Sequence, residues 1–241
     1  MLITSLNNQK IKKYLKLKIK KFRDEEKLFL IEGEHLVEEA LKSDLLVDLL
    51  VLDGNIKDYH FPITYVGSKV MKKLSNMDSV PSVIGVCKFL EEKEITGNRV
   101  LLLDDIQDPG NLGTIIRSSL AFSVFDIILN LNSVDLYNDK VIRSSQGMIF
   151  QMNILRRDLG KVITDLKKKD YVILGTDVFK GIDVKDISPE KFALIMGNEG
   201  SGVKAELKKM CDKNLYIKMN SKVESLNVGV ATSILLYELN R

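Results

Sequence analysis

The chain has 241 residues, 45% of them hydrophobic and 29% charged, with a formal net charge of +3; this is ordinary for a soluble globular protein and long enough for two domains. No apolar run approaches the ~20 residues that a bilayer span requires. Cys87 and Cys211 lie far apart and in no CxxC pattern, which argues against a disulfide framework or a zinc site; both read as small buried hydrophobes in a reducing compartment.

The chain opens on MLITSLNNQKIKK, where Asn7, Asn8, Gln9 and Lys10 interrupt any signal-peptide core, so the expected location is the cytoplasm. From Lys10 to Arg23 run eight basic residues and no acidic one. One basic helix is predicted here, with Asn7 or Asn8 as N-cap and Ile11, Leu15 and Phe22 as its apolar strip. The bland reading is a solvated face. The sharper one is a ridge facing phosphates, since clustered cations gain affinity for nucleic acid by releasing counterions. The strip is thin for membrane insertion. RNA is the preferred partner, with Lys10, Lys12, Lys13, Lys16, Lys20 and Arg23 as candidate contacts and Arg143 further along.

A strand follows at LFLIEG (28–33), then a helix in EHLVEEALKS with Leu36, Val37, Ala40 and Leu41 inward. Leu46–Leu52 is a buried strand closed by Asp53-Gly54. Another strand spans 62–66, a helix starts with Ser68 as its cap, and Val83–Phe89 is the last strand of this half. The polar stretch EEKEITGN (91–98) marks a boundary between domains at 1–95 and 96–241.

The second half alternates apolar strands (Arg99–Asp104, Asp126–Asn130, Tyr171–Gly175, Phe192–Met196, Leu215–Met219) with helices (from about Leu112 to Phe122, Asp139–Gln146, Lys161–Lys169, Val203–Met210, and from about Leu226 to Leu239). Strands apolar throughout, each followed by a helix, indicate an α/β fold with a parallel sheet covered on both faces.

Ligands of such sheets bind at the carboxyl ends of strands, and three junctions there are chemically loaded. In DPGNLGTIIRSSLAF (108–122), Pro109-Gly110 turns the chain, Asn111 can bond its own backbone, and Arg117 follows within the second helical turn. A lone helical arginine is usually a surface cation; behind a glycine-rich loop it also offers a fork of donors to a phosphate or a developing alkoxide. In LIMGNEGSGV (194–203), three glycines after an apolar strand permit close backbone approach. Their G-x-x-G-x-G spacing is not the dinucleotide fingerprint and no Walker lysine follows, so neither NAD nor ATP is indicated. Glu199 inside this loop favours a cationic or neutral ligand. In IKMNSKVESLNVGVATSILLYE (217–238), Ser225 or Asn227 can cap the final helix, whose small-residue start suits tight packing.

Taken together, these three segments resemble the three motifs of the SpoU (TrmH-type) RNA ribose methyltransferases of the SPOUT superfamily. The matching residues are Asn111, Gly113, Arg117 and Phe122; Gly197, Asn198, Glu199, Gly200 and Gly202; and Ser225, Leu226 and Asn227 ahead of Tyr237-Glu238. Ser144, Ser145 and Gly147 between them also look like the family, and the likeness covers about 99–241. The first 90 residues resemble, more loosely, the substrate-binding domain of its ribosomal-RNA members, with LFLIEGEHLVEEAL as the best match.

The resemblance implies a smaller N-terminal ribosomal-protein-like α/β domain, a catalytic domain with a C-terminal trefoil knot, and a homodimer. It implies S-adenosylmethionine as methyl donor, no metal, and a ribose 2′-hydroxyl of RNA, ribosomal RNA above transfer RNA, as acceptor. Gly197, Ile217 and Leu226 would hold the adenine, Gly175-Thr176 would flank it, and Asn198, Gly200 and Met219 complete the cofactor set. The catalytic set carried over is Arg117, Asn111, Glu199, Ser225 and Asn227. Since a guanidinium pKa exceeds ~12, Arg117 is expected to be an electrostatic anchor rather than a base. Three positions depart from the family pattern: Lys218 stands for a proline, Ser123 for a glycine and Asn153 for a proline. His35 and His60 fall outside the motifs. The alternative reading is an RNA-binding or ribosome-assembly factor with a vestigial pocket.

Overall fold

The computed structural model describes residues 2–178 and 180–241. The chain divides into two units: residues up to Leu90 together with Asp135–Phe150, and Glu91–Val134 together with Gln151–Arg241. The polar stretch 91–98 therefore opens the second unit, and 135–150 belongs to the first. No helix among the described residues is long and apolar enough to cross a membrane.

The first unit contains β1 (Leu2–Ile3), α1 (Gln9–Lys16), α2 (Lys20–Glu26), β2 (Leu28–Glu32), α3 (Glu34–Leu41), β3 (Leu46–Leu52), β4 (Ile63–Val66), α4 (Ser68–Leu74) and β5 (Val83–Lys88). Its sheet runs β1-β4-β3-β5-β2; β5 is antiparallel to both neighbours and the other pairs are parallel. Because strand side chains alternate between faces, Leu28, Leu30, Leu50, Leu52, Ile84 and Val86 meet α1 and α4, which contribute Ile11, Tyr14, Leu17, Val70, Met71 and Leu74 to one core. Phe29 points the other way, its ring 4.8 Å from Tyr137 and 6.3 Å from Phe150. The returning segment, with its short helix α6 (Asp139–Ser144), and α3 cover that face.

The basic run is two helices, not one. Asn8 caps α1 with its side chain, as expected. The chain then breaks because Leu17 is drawn into the core. The buried strip is Ile11, Tyr14 and Leu17, while Leu15 and Phe22 are only half-buried. Ser68 is the first residue of α4; Gly67 holds the cap position.

The second unit contains β6 (Arg99–Leu103), α5 (Pro109–Ala121), β7 (Asp126–Leu129), β8 (Asn153–Arg156), α7 (Leu159–Lys168), β9 (Val172–Thr176), β10 (Ile182–Asp183), β11 (Phe192–Met196), α8 (Ala205–Lys208), β12 (Lys213–Tyr216) and α9 (Val228–Leu239). Its seven strands are all parallel, in the order β10-β12-β9-β11-β6-β7-β8. Val100, Leu102, Ile128, Ile173, Ala193 and Ile195 form one core with α7 and α8. The alternate positions face α5 and α9, which pack side by side with Ser118 Oγ 2.7 Å from Ser233 Oγ. Burial on both faces explains why these strands are apolar throughout. From the adjacent β6 and β11 the chain departs in opposite directions, to β7 and to β12. That divergence opens a crevice beyond their carboxyl ends.

Helix α5 begins three residues earlier than its apolar pattern suggests. Asp108 caps it by accepting the Asn111 N–H at 2.8 Å, and Pro109 sits in the first turn, where its missing N–H costs nothing. Pro109-Gly110 is thus helix, not a separate turn, and Arg117 lies in the third turn rather than the second.

Candidate active site

Three connections leave the carboxyl ends of β6 (104–108), β11 (197–204) and β12 (217–227); β6 and β11 are adjacent, and β9 separates β11 from β12. A chain of hydrogen bonds ties them. Glu199 of the second connection accepts from the backbone N–H groups of Gln107 (3.3 Å) and Asp108 (3.2 Å) and from Asn111 Nδ2 (3.0 Å). Asn111 Oδ1 in turn accepts from Asn227 Nδ2 at 2.8 Å. Asn227 Oδ1 then caps α9, accepting from the N–H groups of Gly229 and Val230. The Asn111 side chain therefore bridges two loops and does not bond its own backbone. Burial pushes the Glu199 carboxyl up, but the donors from Asn111 and the backbone outweigh it and hold the group below the ordinary carboxylate range.

A second set of contacts fixes the ends of the glycine-rich loop. Asn198 Nδ2 donates to the Asp105 carbonyl at 2.9 Å, and Asn198 Oδ1 accepts from the N–H groups of Gly200 and Ser201. At the far end, the fully buried Asp104 carboxylate accepts from the Lys204 N–H (2.9 Å) and from Asn130 Nδ2 (2.9 Å). Lys204 Nζ reaches Asp105 at 2.5 Å and Asp104 at 3.3 Å. Gly197 is obligatory in this loop, since a Cβ there would lie 2.1 Å from the Gly202 carbonyl carbon.

Beside these loops opens a cavity of about 630 Å³, within the ~300–1,000 Å³ of small-molecule sites. Ile217, Met219, Leu226 and Leu235 make much of its wall apolar. Among the described residues its carboxylates are Asp177, Glu199 and Glu224, and its cation, Lys208, is 2.6 Å from Asp177. Such a cavity fits a ligand with an apolar body and a positive charge.

Of the residues expected to hold the cofactor, Thr176, Gly197, Asn198, Gly200, Ile217, Met219 and Leu226 line this cavity, as do Glu199 and Ser225. Gly175 does not: a Cβ there would meet Asn214 Oδ1 at 2.3 Å and Cys211 Sγ at 2.7 Å, so packing behind the strand explains it. Asn111 and Asn227 belong to the hydrogen-bonded chain. Arg117 stands apart from it, exposed and without a hydrogen bond or ion pair to any described residue. Sequence reasoning passed over Asp104, Lys204 and Asn130. The signal was a pair of aspartates closing an apolar strand. It also passed over Asp177, Lys208 and Glu224, which carry no pattern of their own.

Comparison with known proteins decides the family. Residues 98–237 match the model of the SpoU rRNA methylase family, and 8–85 match that of the MRM3-like substrate-binding domain. The chain is 40% identical to the Bacillus subtilis 23S rRNA (guanosine(2553)-2′-O)-methyltransferase RlmP, over 98% of each chain. This chain belongs to the SpoU rRNA methylase family. Solved structures agree. The crystal structure of an RNA 2′-O ribose methyltransferase superposes with a TM-score of 0.84 at 29% identity, covering 99% of this chain and 98% of that one. The S-adenosylmethionine-bound rRNA methyltransferase of Sinorhizobium meliloti gives 0.88 at 27%, covering 100% and 97%.

The departures from the SpoU pattern have local explanations. Ser123 follows α5 with φ of +59°, and the Val124 N–H bonds back to the Ser119 carbonyl at 2.8 Å. That is a left-handed helix cap, the conformation for which glycine is preferred. Asn153 uses an N–H that proline lacks, donating to the Phe125 carbonyl, while its side chain bonds Asp126 and Lys93. Lys218 is exposed between Ile217 and Met219, both of which reach the cavity.

Within the SpoU member's first unit, most of the expected RNA contacts are engaged internally. Lys10 pairs with Asp48 at 2.6 Å, Lys13 with Glu26 at 2.7 Å, Lys20 with Asp24 at 2.5 Å and Arg143 with Asp139 at 2.9 Å. Arg23 is a correction. It is 8% exposed, donating to the Leu17 carbonyl and pairing with Asp135 at 2.5 Å, so it anchors the break between α1 and α2 and is not available to RNA. Lys12 is exposed and unpaired, and Lys16 lies 5.4 Å from the Phe22 ring centre.

Proposed function

We propose that this chain transfers a methyl group from S-adenosylmethionine to a ribose 2′-hydroxyl of ribosomal RNA. The observation that carries this is the bonded chain Glu199–Asn111–Asn227 beside a cavity with apolar walls and an excess of carboxylates. Membership of the SpoU family and the retention of Arg117, Glu199 and Asn227 favour the enzyme over a factor with a vestigial pocket. S-adenosylmethionine, when bound, supplies a methyl carbon already activated by a positively charged sulfur.

The residues divide the remaining work. Gly197, Ile217 and Leu226 hold the flat apolar part of the donor, while Glu199 and Glu224 favour its positive charge. Arg117 stabilises the oxyanion developing on the ribose, or grips the adjacent phosphate, with its guanidinium donors. Its lack of an internal partner leaves all its donors for substrate. Asn111 and Asn227 position the two helix starts that flank the acceptor, and Ser225 lies in the cavity wall.

We further propose that residues 1–95 bind the RNA, that 96–241 form the catalytic domain with a trefoil knot, and that the protein acts in the cytoplasm as a homodimer. The knot is what the resemblance to the SPOUT superfamily implies. The exposed Val230 and Tyr237 on the outer side of α9 support pairing of two copies there. RlmP is named for a 23S rRNA guanosine, which makes the corresponding nucleotide the first to examine. Thermal unfolding with added S-adenosylmethionine tests the donor site. A ligand at a hundred times its Kd stabilises the native state by about 2.7 kcal/mol, and no upward shift at millimolar donor would contradict the reading.

A further inference from the structure

Helices α1 and α4 lie on one face of the first unit's sheet and share one core, so they form a single layer. The α1 sequence QKIKKYLK holds four lysines and the α4 sequence SKVMKKL three, and neither holds an acidic residue. Lys18, just beyond α1, fastens the two helices by donating to the carbonyls of Lys73 (3.0 Å) and Ser75 (2.9 Å). The layer is therefore a fixed surface rather than two independent tails.

The lysines on it are not equivalent. Lys10 is drawn inward to Asp48 and Thr64, Lys13 is paired with Glu26, and Lys72 donates to the carbonyls of Met77 and Asp78. The side chains of Lys12, Lys69 and Lys73 are exposed and have no partner among the described residues, and Lys16 presents its charge over the ring of Phe22. Across the sheet the charge reverses: α3 carries Glu34, Glu38 and Glu39 and no lysine or arginine. The outward positions of α1 and α4 interleave no large exposed apolar side chain with these cations. A membrane-binding face would need them.

We infer that the outer surface of the α1–α4 layer is the RNA-binding face of the first unit, gripping the phosphate backbone through Lys12, Lys16, Lys69 and Lys73. This rests on the RNA substrate proposed above and moves the contact surface: α4 joins it, Arg23 serves the fold instead, and Lys10, Lys13 and Lys20 have their charge already compensated by Asp48, Glu26 and Asp24. Uncompensated cations on a rigid layer gain affinity from counterion release, which needs no base contact. Sequence selection then falls to other groups.

The test uses the full chain, in-vitro-transcribed 23S ribosomal RNA and filter binding over a series of KCl concentrations. The Lys12→Gln/Lys69→Gln/Lys73→Gln variant should bind at least tenfold more weakly at 0.1 M KCl. Its slope of log K against log salt should fall by about 2, since each phosphate contact contributes roughly 0.7–0.9. Arginine at the same three positions should restore both. A control of equal charge loss in the second unit, Lys161→Gln/Lys169→Gln/Lys209→Gln, should change the slope little. The inference is overturned if the α1–α4 variant binds like wild type, if the control loses as much, or if the variant loses only its affinity for phosphatidylglycerol vesicles. S-adenosylmethionine-induced thermal shift, measured on the same samples, is expected to be unchanged. Its absence in wild type would strike the methyltransferase reading and leave the surface intact.

Discussion

The loops of the second unit and the helical layer of the first handle polar groups in opposite ways. Around the cavity, Glu199, Asn111, Asn227, Asn198, Asp104 and Lys204 satisfy one another through bonds between segments far apart in sequence. On the α1–α4 layer, the side chains of Lys12, Lys69 and Lys73 are left without partners among the described residues. A catalytic site needs geometry held before substrate arrives. A surface that meets a polyanion needs charge that is still unspent. Arg117 is the exception that joins the two behaviours: it lies in the unit of bonded loops yet is as free as the lysines.

Mutations that leave donors unpaired should break the catalytic side of this contrast first. Asp104→Ala strands the Lys204 N–H and Asn130 Nδ2, roughly 1–3 kcal/mol for each donor; chemical unfolding should show the combined loss, with donor affinity falling as the loop slackens. Arg117→Lys keeps the charge but loses the fork. We expect kcat to drop about 10²–10³-fold, the scale for removing one oxyanion donor, while calorimetry finds S-adenosylmethionine binding unchanged.

Glu199→Gln should weaken the tie between loops by about 1–1.5 kcal/mol, since the carboxylate is solvent-exposed and its hydrogen bonds are screened. Because the folded-state pKa of Glu199 lies below its ordinary 4.5, its stabilisation is present above that value and is lost as pH falls through the folded pKa. Melting temperatures of wild type and variant should therefore differ near neutrality and converge in acid. The smallest expected effect sharpens the fold alone. Ser123→Gly relieves a left-handed serine and should raise stability by about 1 kcal/mol, with no change in turnover.

How far these features can be read from the sequence varies with how local their causes are. The strand Phe192–Met196 and the Asn227 cap follow from an apolar run and a side chain at a helix start, and the structure has both. The start of α5 was hidden because Pro109 and Gly110 look like a turn unless Asp108 is recognised as the cap. The break after α1 depends on the pull of the core on Leu17 and on the Asp135 partner of Arg23, more than a hundred residues away. Strand β8 carries little sequence signal, since Asn153–Arg156 is short and polar at both ends. The three site loops were legible as motifs. Their bonds to one another were not, for hydrogen bonds across ninety residues leave no periodicity.

The most direct test of the central claim maps ribose methylation along 23S ribosomal RNA from cells lacking this gene and carrying either the wild-type or the Arg117→Lys form. One 2′-O-methyl group should be missing without the gene, return with wild type and remain nearly absent with the variant. A methylation pattern that is the same with and without the gene, or full restoration by Arg117→Lys, would contradict the account.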